Sequence, residues 1–257
     1  MLKYEDLIFK IPIENKSYME DSKFVTRSIV LMLDERKEKG GNRILINTNL
    51  KRGLPLENIN KIAGPIIEAW AYEVFSEINE DLNNKYFLIN VEAQERLSMT
   101  DIVLQFKKEN RYITGNIDVK ATSEDILGSG KSPNITSFSR IRTAYIEDPD
   151  YMFIVLSIKH KVYSKRNEKT NMFDGVMEII DYNAYDLKLI ADEDISYNPA
   201  LGTGQIQIKD IHYVSLVERT AWEFCQLLDE KYLKSSKRSL KQWYAEAVKY
   251  KWIKTKD

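Results

Sequence analysis

Two aspartates and a lysine occupy neighbouring runs that otherwise read as buried strands. Asp101 opens "DIVLQF", and Asp118 and Lys120 lie in "YITGNIDVKAT". The polar stretch "KKENR" between the runs predicts a β-hairpin with its turn centred between Glu109 and Asn110. That register places Asp101 opposite Asp118, and the alternation of side chains along a strand puts Lys120 on the same face. The apolar residues of both strands then share the other face, which is the predicted core.

Two carboxylates this close repel each other unless positive charge lies between them. Lys120 can supply part of that charge, and a divalent cation can supply more. Mg²⁺ accepts one or two carboxylates from a protein while it keeps waters and phosphate oxygens. A lysine beside such a cation can orient or help deprotonate a water and can stabilise charge on a phosphoryl group. The arrangement therefore predicts metal-assisted hydrolysis of a phosphodiester.

The tripeptide Asp-x-Lys is not specific by itself. It recurs in this charged sequence at Asp21, Asp186 and Asp229, and most such pairs in proteins are surface ion pairs. The alternative site is "YDLKLI", which could form a strand and has acids upstream, although no hairpin brings a second carboxylate opposite Asp186. Glu68 is a further candidate acid in "GPIIEAWAYEVF", about one helical turn after Pro65. It is either an ordinary exposed glutamate or a third acid aimed at the metal.

Composition excludes several classes of protein. The chain has 257 residues, of which 43% are hydrophobic, and this is enough to bury the core of one large α/β domain or two small ones. One cysteine and two histidines cannot form an internal disulfide or a Cys/His zinc site, and the single cysteine fits a reducing cytoplasm. No stretch approaches the roughly 18 apolar residues of a membrane span, so we expect no membrane partner.

The net charge of −1 hides two basic runs, "KHKVYSKRNEK" and the region from Lys231 to Lys256. Each is either a solvated surface or a phosphate-binding one. Helical patterns at both ends enclose a series of predicted strands, with Pro65 expected to start a new helix or kink a long one. We therefore expect a single α/β domain over residues 1–257, with a central mixed β-sheet flanked by helices.

The aspartates and lysine also match the D-x(n)-D-x-K signature of the PD-(D/E)xK nuclease superfamily, with Thr100 where a proline is usual. The stretches "INTNLKRGLPLENINKIAGPIIEAWA", "SGKSPNITSFSRIRTAY" and "DISYNPALGTGQIQIKDIHYVS" resemble HpaI-like enzymes. These belong to the EcoRV/HincII-like branch of the type II restriction endonucleases. The resemblance implies a restriction-endonuclease-like fold and a homodimer that cuts both strands of a short palindromic site in double-stranded DNA. The implied site is GTTAAC, cut with Mg²⁺ to blunt ends bearing 5′-phosphates.

The resemblance also implies roles for individual residues. Asp101 and Asp118 would bind Mg²⁺ with the main-chain carbonyl of Val119, Lys120 would orient or activate the attacking water, and Glu68 would be an accessory acid. Segments 129–142 and 198–207 would read DNA. Their candidate residues are Ser132, Asn134, Ser137, Arg140, Asn198, Gly202, Thr203, Gly204, Gln205 and Gln207. The glycines would let the backbone approach the duplex, and the polar side chains suit base edges and phosphates.

Other interpretations of these residues stay open. The glycine loop could be only a turn, and the Asn/Ser cluster only a helix cap. A DNA-binding protein of the same fold could lack cleavage, although retention of Asp101, Asp118 and Lys120 argues against it. A repair nuclease of the same fold could lack sequence specificity, but the long polar segments 129–142 and 198–207 argue against that.

Overall fold

The computed structural model describes residues 2–200 and 202–254. These divide into two compact units. The first comprises the residues up to 21, residues 131–152 and those from 186 onward; the second comprises residues 22–130 and 153–185. The helices are α1 Tyr18–Glu38, α2 Leu56–Lys61, α3 Ala63–Asn79, α4 Phe138–Glu147, α5 Ala221–Leu233 and α6 Leu240–Lys249. The strands are β1 Arg43–Ile46, β2 Leu88–Ala93, β3 Ile102–Lys108, β4 Arg111–Ser123, β5 Asn134–Ser137, β6 Phe153–Asn167, β7 Met172–Asp186, β8 Ile195–Asn198 and β9 Gln205–Ile208. The single domain over residues 1–257 stays a prediction.

The second unit is built on a six-stranded sheet in the order β1-β7-β6-β4-β3-β2. Strands β4 and β6 run parallel, whereas β1 with β7, β2 with β3 and β3 with β4 are antiparallel. Helices α2 and α3 pack against this sheet. The predicted α/β fold with a central mixed sheet flanked by helices is confirmed.

The hairpin of β3 and β4 has the predicted register. Ile102 pairs with Ile117, and the ladder continues to Lys108 and Arg111 around a two-residue turn. Glu109 in that turn has a φ of 56°, in the left-handed region that tight hairpin turns use. The predicted core face is also confirmed, because the inward apolar side chains of both strands are buried.

The helical segment that contains Pro65 is broken, as predicted. Helix α2 ends at Lys61, and α3 begins at Ala63, two residues before Pro65. A proline is tolerated there because the backbone N–H groups of a first helical turn have no partner within the helix. Helix α3 buries Ile67, Trp70, Ala71, Val74 and Phe75.

The first unit contains helices α4, α5 and α6 and a small antiparallel sheet in the order β5-β9-β8. Here "YDLKLI" does not form the strand considered above. Asp186 ends β7, and its side chain accepts a hydrogen bond from the Lys188 backbone N–H to cap a 3₁₀ turn over Leu187–Leu189. Lys188 is fully buried and paired with Glu14. Within the part of the chain described, no helix is long and apolar enough to cross a membrane.

Candidate active site

The catalytic candidates lie where the β3–β4 ladder stops. Pairing ends at Ile102 and Ile117, so Asp101 does not continue it opposite Asp118 as the register suggested. Instead, the Asp101 backbone N–H donates to the Ile117 carbonyl at 2.8 Å. The Asp101 Oδ2 atom accepts from the Val119 N–H at 2.7 Å. The side chain of Asp101 thus takes the place of the next ladder bond and is fixed against β4.

The buried Asp118 and the partly exposed Lys120 form an ion pair on the same face of β4. The Lys120 Nζ atom donates to Asp118 Oδ1 at 2.7 Å. Asp118 is only 4% exposed, and its Oδ2 atom has no hydrogen-bond partner among the described residues. Burial raises the pKa of Asp118 to about 7; Lys120 opposes this shift, and the charges of Asp101 and Glu68 add to it. The surroundings of Asp118 therefore supply less positive charge than is needed to keep its carboxylate fully ionised at neutral pH.

Glu68 reaches the same site from helix α3. Burial raises the pKa of this half-buried acid, the charge of Asp101 raises it further, and Lys120 lowers it. Glu68, Asp101, Asp118 and Lys120 thus interact electrostatically. Three acids and one lysine leave the site with excess negative charge.

The donor set fits a hard divalent cation. No three His, Cys, Asp or Glu side chains in the described ranges form a metal-binding group, so protein carboxylates alone would not complete a coordination shell. Mg²⁺ needs only one or two carboxylates because it retains waters. The unpartnered Oδ2 atom of Asp118 suits such a ligand. The Val119 N–H points to Asp101, and the N–H and C=O of one strand residue point the same way, so its carbonyl lies on that side too.

Five of the DNA-reading candidates lie in the first unit, on its small sheet. Asn134 pairs with Gln207, while Ser137 and Asn198 pair with Gln205 from opposite sides. Side chains that are directly opposite share a face, so these five form one polar face; the alternate residues of β9, such as Ile206, are buried. The fold therefore brings together segments that are far apart in the sequence.

Ser196 was missed by the sequence interpretation, although it pairs with Gln207 and extends the same polar face. Its only sequence signal is its position two residues before Asn198 in a short alternating run. Arg140, in contrast, is exposed on helix α4 and does not belong to this face.

The Gln207 amide is held in one orientation. Its Nε2 atom donates to the Ser132 carbonyl at 2.9 Å and to Asn134 Oδ1 at 3.0 Å. A main-chain carbonyl can only accept, so this bond fixes which end of the amide is nitrogen. With both amide hydrogens used, Gln207 retains only its side-chain oxygen, a hydrogen-bond acceptor, for a ligand.

The loop between β8 and β9 is fixed mainly by contacts within the first unit. Gly204 has a φ of 92°, and a Cβ there would lie 2.1 Å from the Tyr197 hydroxyl oxygen. The Tyr197 hydroxyl donates to the Thr203 carbonyl at 2.6 Å, and the Thr203 hydroxyl bonds to Ser139. Gly204 is thus required by the packing of Tyr197, whereas Gly202, with a φ of 49°, has open space around it. Leu201 lies outside the described residues.

Arg238, which the sequence placed among possible phosphate-binding cations, supports this loop. It donates to the Tyr197 hydroxyl at 2.8 Å and to the carbonyls of Pro199 and Gly202. Its guanidinium group is therefore already engaged by the loop. Lys256 of the same basic region lies outside the described residues.

Comparison with known proteins gives a consistent result. The family model described as "Type II restriction endonuclease HpaI" matches residues 5–251. The Type II restriction enzyme HpaI of Haemophilus parainfluenzae is 66% identical over 253 residues, which cover 98% of this chain and all of that protein. Among solved structures, NlaIV restriction endonuclease is 14% identical with a TM-score of 0.31, over 76% of this chain and 82% of that one. The last likeness is too weak to add to the fold described above.

Proposed function

Because the chain belongs to the HpaI family of type II restriction endonucleases, we propose that it cuts both strands of DNA at GTTAAC. It would use Mg²⁺ and leave blunt ends with 5′-phosphates and 3′-hydroxyls. It would act in the cytoplasm of a prokaryotic cell. The observation that carries the proposal is the ion pair of the buried Asp118 with Lys120, beside Asp101, since it combines a carboxylate pair with a cation in one site.

In this proposal the carboxylates of Asp101 and Asp118 and the carbonyl of Val119 would hold Mg²⁺, which would supply charge stabilisation and a bound water of lowered pKa. Lys120 directs its ammonium group at the attacking water and the scissile phosphate, where negative charge develops. Glu68 adds a further acceptor for ordered water. The Val119 N–H holds Asp101 in place, so this carboxylate needs little reorganisation to act.

The polar face formed by Asn134, Ser137, Asn198, Gln205 and Gln207 is the proposed surface for sequence readout. Amide side chains can bond the edge of adenine, and hydroxyl groups can bond base edges or phosphates. Gln207 would accept a hydrogen bond from a base amino group, because its amide hydrogens are already engaged. Ser132 and Thr203 would act indirectly, since Ser132 holds the Gln207 amide and Thr203 bonds to Ser137 and Ser139.

Digestion of a plasmid of known sequence tests the proposal. With Mg²⁺, we expect cuts only at GTTAAC, and sequencing of the ends should show both strands broken opposite each other. The control is the same plasmid with one base pair of each GTTAAC site changed, which should stay uncut. Cutting at an unrelated sequence, staggered ends, or equal cutting of the control would contradict the proposal.

A further inference from the structure

A serine on strand β6 lies beside the candidate lysine. In the parallel ladder of β4 and β6, Ser157 pairs directly with Lys120, and Val155 pairs with Asp118. Residues directly opposite in a ladder point to the same face, with Cβ atoms about 5 Å apart. Ser157 is therefore the polar neighbour of Lys120 on the face that carries the ion pair.

The hydroxyl of Ser157 is buried without a partner. The residue is 1% exposed, and its Oγ atom makes no hydrogen bond within the described part of the chain. An unsatisfied buried hydroxyl is unfavourable, and nearly all buried polar groups in proteins are paired. A second unpartnered atom, Asp118 Oδ2, lies on the same face of the sheet. Both atoms are therefore available as acceptors beside Lys120.

Lys120 needs a second partner during the proposed reaction. Its ammonium has three N–H donors, and Asp118 Oδ1 takes one of them at 2.7 Å. If Asp118 binds a divalent cation, its hydrogen bond to Lys120 is weakened. The ammonium, at the end of a side chain with four rotatable bonds, would then be held mainly by the substrate.

We propose that Ser157 is a positioning residue for Lys120. Its Oγ atom accepts a hydrogen bond from the Lys120 ammonium when Asp118 is engaged elsewhere, and so keeps the ammonium directed at the attacking water. A serine suits this position because it places a hydroxyl directly opposite Lys120 in the ladder. This inference rests on the proposed function, because it concerns the lysine of that same site.

The test is single-turnover cleavage of a duplex that contains GTTAAC, with Mg²⁺ and saturating enzyme. Ser157→Ala should lower the cleavage rate about 10- to 100-fold, the range expected for a lost hydrogen bond to a charged group. Affinity for the duplex, measured with Ca²⁺ in place of Mg²⁺, should change less than about twofold. Ser157→Cys fills the same space with a much weaker acceptor, so it should lose about as much rate as Ser157→Ala.

A double-mutant cycle separates positioning from packing. In a Lys120→Ala background, Ser157→Ala should cause no further loss of rate, because the group it positions is gone. The matched control is Ser76→Ala, which removes another buried, unpartnered hydroxyl of the same unit, on α3 two turns beyond Glu68. It should leave the rate unchanged.

Three results would overturn the inference: full activity of Ser157→Ala, restoration of the rate by Ser157→Cys, or an equal loss in both backgrounds. Failure of the proposed function would look different. In that case the unmodified protein would not cut GTTAAC, or Lys120→Ala would cut it at the unmodified rate.

Discussion

At the scale of single residues, Asp118 decides how the site behaves. The hairpin buries its carboxylate, and Lys120 compensates only part of the desolvation, so its pKa rises to about 7. At neutral pH a cation can bind the Asp118 carboxylate in place of a proton. In acid the carboxylate is protonated and the cation is released. Of this chemistry, the sequence predicted the residue types and their shared face. It could not predict that Asp101 would bond to the Val119 N–H, because that contact exists only where the ladder stops.

Asp118 should make the metal-free protein less stable as pH rises. Its pKa is raised from 3.8 to about 7 in the folded state, so the folded state binds the proton more tightly between those values. Stability from this group is complete below about pH 4 and is lost as pH rises through 7, by up to about 4 kcal/mol. Asp118→Asn has no such proton. In EDTA, urea unfolding should therefore show the variant gaining stability over the unmodified protein at pH 8, but not at pH 4. An equal difference at both pH values would contradict this.

Lys120 should matter for rate far more than for affinity. Removal of one group that stabilises developing charge costs about 10²- to 10³-fold in rate. We expect Lys120→Ala to show a loss of this size in single-turnover cleavage and a much smaller change in DNA affinity. Lys39→Ala removes a cation of the same unit that pairs with Glu35 and lies outside both basic runs, and it serves as the control. Equal losses of rate and affinity in Lys120→Ala would argue against its proposed role.

At the scale of elements, the two sheets differ in how far the sequence determines them. The β3–β4 hairpin was predictable because alternation and a short polar turn fix its register locally. The small sheet was not, because β5, β8 and β9 have four residues each and β5 pairs with a strand far along the chain. From the sequence, Asn134 and Gln207 are predicted only as separate candidates for DNA binding. Only the fold shows that they bond to each other.

Gly204→Ala should disrupt the small sheet. The new Cβ would meet the Tyr197 hydroxyl at 2.1 Å, and the φ of 92° is strained for any side chain. We expect a loss of about 1–3 kcal/mol from the strained backbone, with more from displacement of Tyr197. Gly202→Ala is the control, since its φ of 49° lies in the left-handed region and nothing lies within 4 Å. Equal losses in urea unfolding would contradict the packing argument.

At the scale of the whole molecule, a palindromic target calls for two active sites related by twofold symmetry. The described ranges of this 30.1 kDa chain contain one such candidate site, so we expect a dimer of twice that mass. Analytical ultracentrifugation with and without a GTTAAC duplex measures this directly. Two chains per duplex is the predicted result, and one chain per duplex would contradict the dimer.

The most direct test of the central claim compares the unmodified protein with Asp118→Asn on one GTTAAC duplex. Cleavage is followed with Mg²⁺, and binding is measured on the same duplex with Ca²⁺. The unmodified protein should bind and cut, whereas the variant should bind with measurable affinity and produce no Mg²⁺-dependent cleavage. If Asp118→Asn cut the duplex at the unmodified rate, the ion pair of Asp118 and Lys120 would not be the catalytic site.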